Sequence, residues 1–444
     1  MHKQDTIAAI ATAAGVSGIG IIRISGSDSL RIGEKLTAAK LSDKRVLFRH
    51  FYDRDGTVLD HGICFFCQAP NSFTGEDVVE VQAHGGPVLL DMLLERITQL
   101  GARLARPGEF SERAFVNDKI DLAQAEAIAD LIESGSRAAA RAAMRSLQGE
   151  FSSEINDLVA DIIHLRSYIE AALDFAEEEI DFLSDKNIVT QLEACQSSIA
   201  RILGRAQQGR ILKEGISLVL AGLPNAGKSS LLNYLAGYEA AIVTEIPGTT
   251  RDVLREHISL KGIPLHVHDT AGLHDTDNPV EQEGIKRAWQ EIQRADTVLL
   301  LVDSTVGITG ADEAIVKQLK SLNYQLVYSK ADLLPENAIR ETDGIYISTK
   351  EGNGMPALVD YITSSQIDYN QDDQIILARR RHIDALQQAQ INLDQAGRVF
   401  ADSGSGELMA EDLRIAQQHL NEITGEFTSD DLLGHIFSRF CIGK

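Results

Sequence analysis

The segment Gly222-Leu223-Pro224-Asn225-Ala226-Gly227-Lys228-Ser229 constrains this chain more than any other. It fits G-x-x-x-x-G-K-[ST] and stands between an apolar run, Ile216 to Ala221, and a helical stretch, Ser230 to Leu235. Glycines let successive backbone N–H groups turn inward around an anion, the lysine adds a point charge, and a serine hydroxyl at the helix start suits a divalent cation. Strand-like runs at Leu265 to His268, Val298 to Val302, Gln325 to Tyr328 and Ile345 to Ile347 alternate with helical text, which predicts an open parallel α/β sheet over 215–375.

At 444 residues the chain exceeds a single domain of ~100 to 200 residues. Residues 1–118 carry short apolar runs (Ile19 to Ile24, Gly62 to Gln68, Val78 to Gln82) among Gly, Asp and Pro, with one helical segment at Pro87 to Leu100, so an α+β domain is expected. Thr6 to Ile22 imitates a secretory leader, but Asp5, the internal glycines and Arg23 fit strand-loop-strand better. From 119 to 214 apolar residues recur at helical spacing (Ile155, Leu158, Ile162, Leu165, Ile169). The same texture resumes over 376–444, through Arg379 to Ala401 and Glu407 to Ile423, and Ser429 with Asp431 in the first turn opens a last helix. The expected fold is multidomain, α+β and α/β: an N-terminal α+β domain (1–118), a discontinuous α-helical domain (119–214 with 376–444), and an inserted P-loop domain (215–375).

The formal charge of −23 argues against a surface that holds nucleic acid or anionic membrane by bulk positive charge. The acid lies in 120–214 (−8), 215–375 (−11) and 376–444 (−3), while residues 1–119 are close to neutral at −1. A nucleic-acid partner would therefore meet the neutral N-terminal region or a local cluster such as Arg379-Arg380-Arg381. Four cysteines are too few for a disulfide framework and point to a reducing compartment. Cys64 and Cys67 form a C-x-x-C in a strand-like run, where residues three apart face opposite ways, so shared metal ligation is disfavoured. No run is long enough to span a membrane, and the chain reads as cytoplasmic.

The P-loop is followed in order by four further motifs. Thr249-Thr250 lies in a Gly-flanked segment suited to a switch whose threonine reaches the metal. Asp269-Thr270-Ala271-Gly272 follows a strand, where Asp269 would hold Mg²⁺ through water and the Gly272 amide would face the γ-phosphate. Ser329-Lys330-Ala331-Asp332 is similar to the guanine-reading N-K-x-D, whose aspartate accepts two hydrogen bonds from guanine. Ser348-Thr349-Lys350 fits the loop behind the base. Together they make the domain a GTPase. Two departures stand out. Ser329 replaces an asparagine whose amide contacts the base and braces the P-loop, so weaker guanine-nucleotide binding is expected. Leu273 stands where a Ras-like enzyme places its water-orienting glutamine. His274, Asp275, Asp277, Glu281 and Glu283 are the candidate replacements, and no arginine finger can be named.

These motifs and the flanking text resemble the MnmE (TrmE) family of tRNA-modifying GTPases along essentially the whole chain. The resemblance is carried by Asp5-Thr6-Ile7, Gly20-Ile21-Ile22-Arg23-Ile24-Ser25-Gly26, Ser72-Phe73-Thr74-Gly75-Glu76-Asp77 and His84-Gly85-Gly86-Pro87. It continues in Arg106-Pro107-Gly108-Glu109-Phe110-Ser111, Asn117-Asp118-Lys119, Ala123-Gln124-Ala125-Glu126-Ala127, Gly248-Thr249-Thr250-Arg251-Asp252 and the terminal Phe440-Cys441-Ile442-Gly443-Lys444. It implies an N-terminal folate-binding and dimerising domain. It also implies a homodimer that joins an MnmG-type FAD-binding flavoprotein in a heterotetramer. Together they would put an aminomethyl-type (carboxymethylaminomethyl) group on C5 of wobble uridine in tRNA. A 5-formyl- or methylene-tetrahydrofolate would supply the carbon. No G-x-G-x-x-G dinucleotide fingerprint is found here, so flavin would come from the partner.

The same resemblance implies that K⁺ stands in for the arginine finger, held by Asn225, Thr244, Ile246 and Thr249, while Ser229 and Thr250 take Mg²⁺. Catalytic roles fall on Lys228, Thr250 and the water-positioning Glu281. The implied GTP-contacting set is Asn225-Ala226-Gly227-Lys228-Ser229-Ser230, Thr244-Glu245-Ile246-Pro247-Gly248-Thr249-Thr250, Asp269-Thr270-Ala271-Gly272, Ser329, Lys330, Asp332 and Ser348-Thr349-Lys350. The folate residues are Arg23, Glu80, Lys119 and Lys444, with Cys441 either catalytic or packing beside them. Two other readings stay open: a regulatory GTPase switch in ribosome assembly, which needs no folate, and a folate enzyme with GTP as mere effector.

Overall fold

A computed structural model describes residues 5–174, 186–238, 258–261, 263–269, 288–293, 295–335, 343–364, 375–426, 433, 436–438, 440 and 443. The chain divides into two compact units. One comprises Met1–Ile132, Met144–Ile199 and Asp384–Lys444, the other Glu133–Ala143 and Ala200–Ile383.

The first unit holds the strands β1 (Ile7–Ile10), β2 (Ser17–Ser25), β3 (Leu47–Tyr52), β4 (Val58–Cys67), β5 (Val78–Gly85) and β6 (Arg103–Leu104), in the spatial order β3-β4-β5-β2-β1-β6. β1 and β2 are antiparallel neighbours, so the apolar N-terminal stretch is strand-loop-strand as expected. Alternation decides the faces. Ile22, Ile24, Phe51, Cys64, Val79 and Val81 point to one side, where α1 (Ser29–Thr37) and α2 (Pro87–Gln99) cover them with Ile32, Leu36, Leu93 and Ile97. Burying each such side chain contributes ~1.5–3 kcal/mol. Pro87 starts α2, a position where its missing N–H has no helical partner to lose. Cys64 is fully buried and its thiol is pushed up to about 12 by that burial, whereas Cys67 is half-buried.

Helices follow: α3 (Glu109–Val116), α4 (Leu122–Glu133), α5 (Arg137–Leu147), α6 (Glu150–Asp174) and α7 (Lys186–Glu214). On α6 the predicted apolar row Ile155, Leu158, Ile162, Leu165 and Ile169 is 2% exposed or less.

The second unit is built on a sheet of the order β12-β11-β10-β7-β9-β8. Its strands are β7 (Ile216–Gly222), β8 (Ile258–Leu260), β9 (Ile263–Asp269), β10 (Thr297–Asp303), β11 (Tyr324–Ser329) and β12 (Gly344–Tyr346). All neighbours are parallel except β8 and β9. β7 and β10 are apolar and buried almost throughout, as strands covered on both faces must be. The helices here are α8 (Lys228–Tyr238), α9 (Gly310–Leu319), opened by a Thr309/Asp312 capping box, and α10 (Met355–Ser364). The remaining helices are α11 (Arg380–Ser403) and α12 (Gly406–Thr424). α12 packs along α6 within the first unit, and the Arg166 guanidinium donates to Gln417 at 2.7 Å. Beyond α12, Ile436, Phe437 and Phe440 join Leu122, Ala125 and Ala129 in one apolar cluster, so the chain end returns to α4. Ser429 and Asp431 lie outside the described residues.

Candidate functional site

β7 delivers Gly222 at its carboxyl end, and α8 begins at Lys228. Because β9 lies on one side of β7 and β10 on the other, the loop between them stands at the switch point of the sheet, where open α/β sheets take ligands. Gly222 (φ 139°) and Gly227 (φ 96°) have backbones that L side chains rarely adopt. A Cβ on Gly222 would collide with the Leu301 carbonyl of β10. Asn225 takes a left-handed φ of 62° and exposes its side chain. Lys228 Nζ donates to the carbonyls of Gly222 (2.9 Å) and Leu223 (3.0 Å), so the ammonium lies across its own loop. Ser229 and Ser230 are exposed in the first turn of α8, where orphan N–H groups favour anions.

The base-reading side meets this loop directly. Ser329 is 4% exposed and its hydroxyl donates to the Ala226 carbonyl at 2.7 Å. The expected loss of the brace is therefore corrected: the shorter side chain still reaches the P-loop, because Gly227 has no Cβ and a Cβ there would press on Ser329 at 3.3 Å. Lys330, at a left-handed φ of 57°, bonds to Asp303 at 2.6 Å. Burial pushes Asp303 toward neutrality, but the bonds from Lys330 and Thr305 outweigh it and hold the carboxyl below its usual range. Asp332 is half-buried in a short 3-10 turn, and the Ala331 N–H donates to the Ile347 carbonyl at 3.0 Å, tying this turn to the next loop. There Ser348 is buried and accepts from the Glu351 N–H at 3.1 Å, Thr349 is half-buried and Lys350 exposed. Three of the five sequence motifs thus converge. Asp269 ends β9 in register with Leu220 of β7, so its backbone stands beside the strand that feeds the P-loop. Thr244 to Thr250, Thr270 to Leu273, His274, Asp275, Asp277, Glu281 and Glu283 lie outside the described residues.

In the first unit Arg23 on β2 and Glu80 on β5 are direct cross-strand partners, joined Nε to Oε1 at 2.8 Å. Phe73 and Phe110 flank the guanidinium at 5.6 and 5.7 Å. The loop carrying Phe73 also reaches Lys119, whose aliphatic carbons lie against Gly75. Gly443 comes so near Ile10 and Ala11 that a Cβ on it would collide with them, and Ala9 is the β1 partner of Arg23. Lys444 and Cys441 lie outside the described residues. A network that sequence reasoning passed over supports this face. Arg113, 7% exposed at its side chain, bonds Glu76, Glu109 and Asp5, and Arg103 bonds Asp5 and Glu109. Glu109 is opposed by burial, yet Arg103, the Arg106 N–H and Arg113 hold it at about 2. The signal was available in Arg106-Pro107-Gly108-Glu109, but nothing local says which cation each carboxylate meets.

Two family descriptions match the chain: "GTP-binding protein TrmE N-terminus" over residues 6–119 and "MnmE helical domain" over 122–441. The protein named tRNA modification GTPase MnmE from Histophilus somni (strain 129Pt) is 54% identical over 452 residues, covering 100% of both chains. That of Ectopseudomonas mendocina (strain ymp) is 52% identical over 454 residues, again covering 100% of both. A solved structure of an Aquifex aeolicus Era variant bound to GDP.AlF4- superposes with a TM-score of 0.28 at 20% identity, over 47% of this chain and 89% of that one, too loosely to bear on function. With full-length relatives above half identity and both non-nucleotide regions matched by their own descriptions, the chain belongs to the MnmE (TrmE) family of tRNA modification GTPases.

Proposed function

We propose that this GTPase is the hydrolytic subunit of a cytoplasmic complex that adds a carboxymethylaminomethyl-type group to C5 of wobble uridine. In this reading the chain is a homodimer, joins an MnmG-type flavoprotein in a heterotetramer, and draws its carbon from 5-formyl- or methylene-tetrahydrofolate. The domain division 1–118, 119–214, 215–375 and 376–444 belongs to the same proposal. The return of Gly443 to β1, a strand paired with that of Arg23, supports the folate half, because it brings the chain end toward the Arg23 and Glu80 pair. The donor set fits such a ligand. Glu80 would pair with the pterin N–H edge, Arg23 lies 5.6 and 5.7 Å from the Phe73 and Phe110 rings, and Lys119 and Lys444 would meet the glutamate tail.

In the nucleotide domain Asn225 to Ser230, with Thr244 to Thr250 and Asp269 to Gly272, would surround the phosphates. Ser329, Lys330, Asp332 and Ser348 to Lys350 would hold the base. The exposed Ser229, with Thr250, would hold Mg²⁺, and Asn225, with Thr244, Ile246 and Thr249, would hold K⁺. Those cations would offset charge on the phosphate oxygens when two G domains meet. Lys228 leaves its loop carbonyls for the β and γ phosphates, and Glu281 orients the attacking water. GTP hydrolysis in K⁺ against Na⁺, with Asn225→Ala alongside, tests the cation reading: equal rates in both salts would remove it. Calorimetric titration with 5-formyltetrahydrofolate tests the other half. Binding that weakens in Arg23→Ala is expected, and no binding to the unmodified chain would leave the ribosome-assembly switch as the better reading.

A further inference from the structure

We propose that His50, His61 and His84 form a site on the N-terminal sheet for a divalent transition cation of the imidazole-preferring class, with zinc(II) as its probe. The three side chains come from three neighbouring strands, β3, β4 and β5. His50 and His61 are direct cross-strand partners, an arrangement that puts Cβ atoms about 4.5–5.5 Å apart. Their ring centroids are 5.9 Å apart, and those of His61 and His84 are 5.6 Å apart. The side chains of His61 and His84 are 51% and 64% exposed, on the sheet face opposite α1 and α2.

The second observation lies beneath them. Asp60 is 8% exposed, and its carboxylate accepts both the backbone N–H of His84 (2.9 Å) and His84 Nδ1 (2.8 Å). A carboxylate can only accept here, so Nδ1 donates, and in the neutral imidazole this leaves the Nε2 lone pair for a ligand. A buried carboxylate behind an exposed imidazole is the arrangement that orients metal-binding histidines. Phe48, 5.5 Å from the His61 ring, walls one side.

With metal–nitrogen bonds near ~2.1 Å, the ring centroids of two tetrahedral imidazole ligands stand about 5 Å apart. The two neighbouring pairs exceed this by less than about 1 Å, while His50 and His84 stand two strands apart, so the outer rings would have to turn inward over His61 to share one ion. Among the described residues no three donors already converge on one point, so the ion itself draws the rings together. Imidazole donors select zinc, nickel or copper over magnesium and calcium. β3 is an edge strand of the sheet, so the ion would also pin that edge to its two inner neighbours.

The test is calorimetric titration of the full chain with ZnCl₂ in saturating Mg²⁺. One saturable site is expected. It should be lost in His61→Asn and in His84→Asn, weakened ~10–100-fold in Asp60→Asn, and unchanged in Cys67→Ser. Because His61 and His84 are surface residues, their variants keep the fold, which circular dichroism checks. The proposal is overturned if the unmodified chain takes up no zinc, if the two histidine variants bind it as tightly as the unmodified chain, or if Cys67→Ser abolishes binding.

Discussion

The N-terminal sheet and the nucleotide sheet treat their functional charges in opposite ways. In the first, Arg113 and Arg103 are locked among Glu76, Glu109 and Asp5, and Arg23 is already paired with Glu80. In the second, Lys228 rests on the carbonyls of its own loop and Ser229 stands in solvent. A paired, buried charge is expensive to orphan, whereas an exposed hydroxyl at a helix start stays available to a ligand. The N-terminal network therefore satisfies its charges internally, and the helix start at the P-loop keeps exposed polar groups for a ligand.

Arg113→Met is the strongest way to break this contrast. It leaves Glu76 and Glu109 buried without their shared cation, and a loss of about 3–5 kcal/mol is expected in urea unfolding followed by circular dichroism. A loss under about 1 kcal/mol would mean that the network is ornamental. Lys228→Ala should show the reverse profile: an unchanged melt and a GTP hydrolysis rate lower by ~10²–10³-fold, as when one transition-state donor is removed.

The pH dependence sharpens the N-terminal half. Glu109 has its pKa lowered from 4.5 to about 2, so the stability it contributes is fully present above about pH 4.5 and disappears as pH falls toward 2. Unfolding midpoints measured between pH 5 and 2.5 should fall, and fall less steeply in Glu109→Gln. The smallest effect belongs to Ser329→Ala, which removes the bond to Ala226 and should weaken GDP binding by about tenfold, on the order of 1 kcal/mol, without loss of the preference for guanine. Fluorescent-nucleotide titration reads it, and retained affinity would mean that Gly227 alone positions the loop.

Long or strongly patterned segments were legible in the sequence. β7, β9, β10 and β11 lie where the apolar runs put them, each extended by one to three residues. The row on α6 is buried as its spacing requires. The short elements β3, α1 and α3 went unread because six to nine residues carry little periodicity of their own. The C-x-x-C divides between buried and half-buried positions on β4, as strand alternation demands. The brace from Ser329 was misjudged because side-chain length was weighed without the missing Cβ of Gly227.

The sequence by itself determined the P-loop, its strand and helix and the order of the nucleotide motifs, because these depend on spacing within a few residues and on backbone freedom at named glycines. Only the tertiary structure decided which distant groups meet: Arg23 with Glu80 across 57 positions, Ser329 with Ala226 across 103, Gly443 with Ile10, and three histidines from three strands. Such pairs are fixed by strand order and register, which the packing of the whole sheet sets and no local stretch encodes.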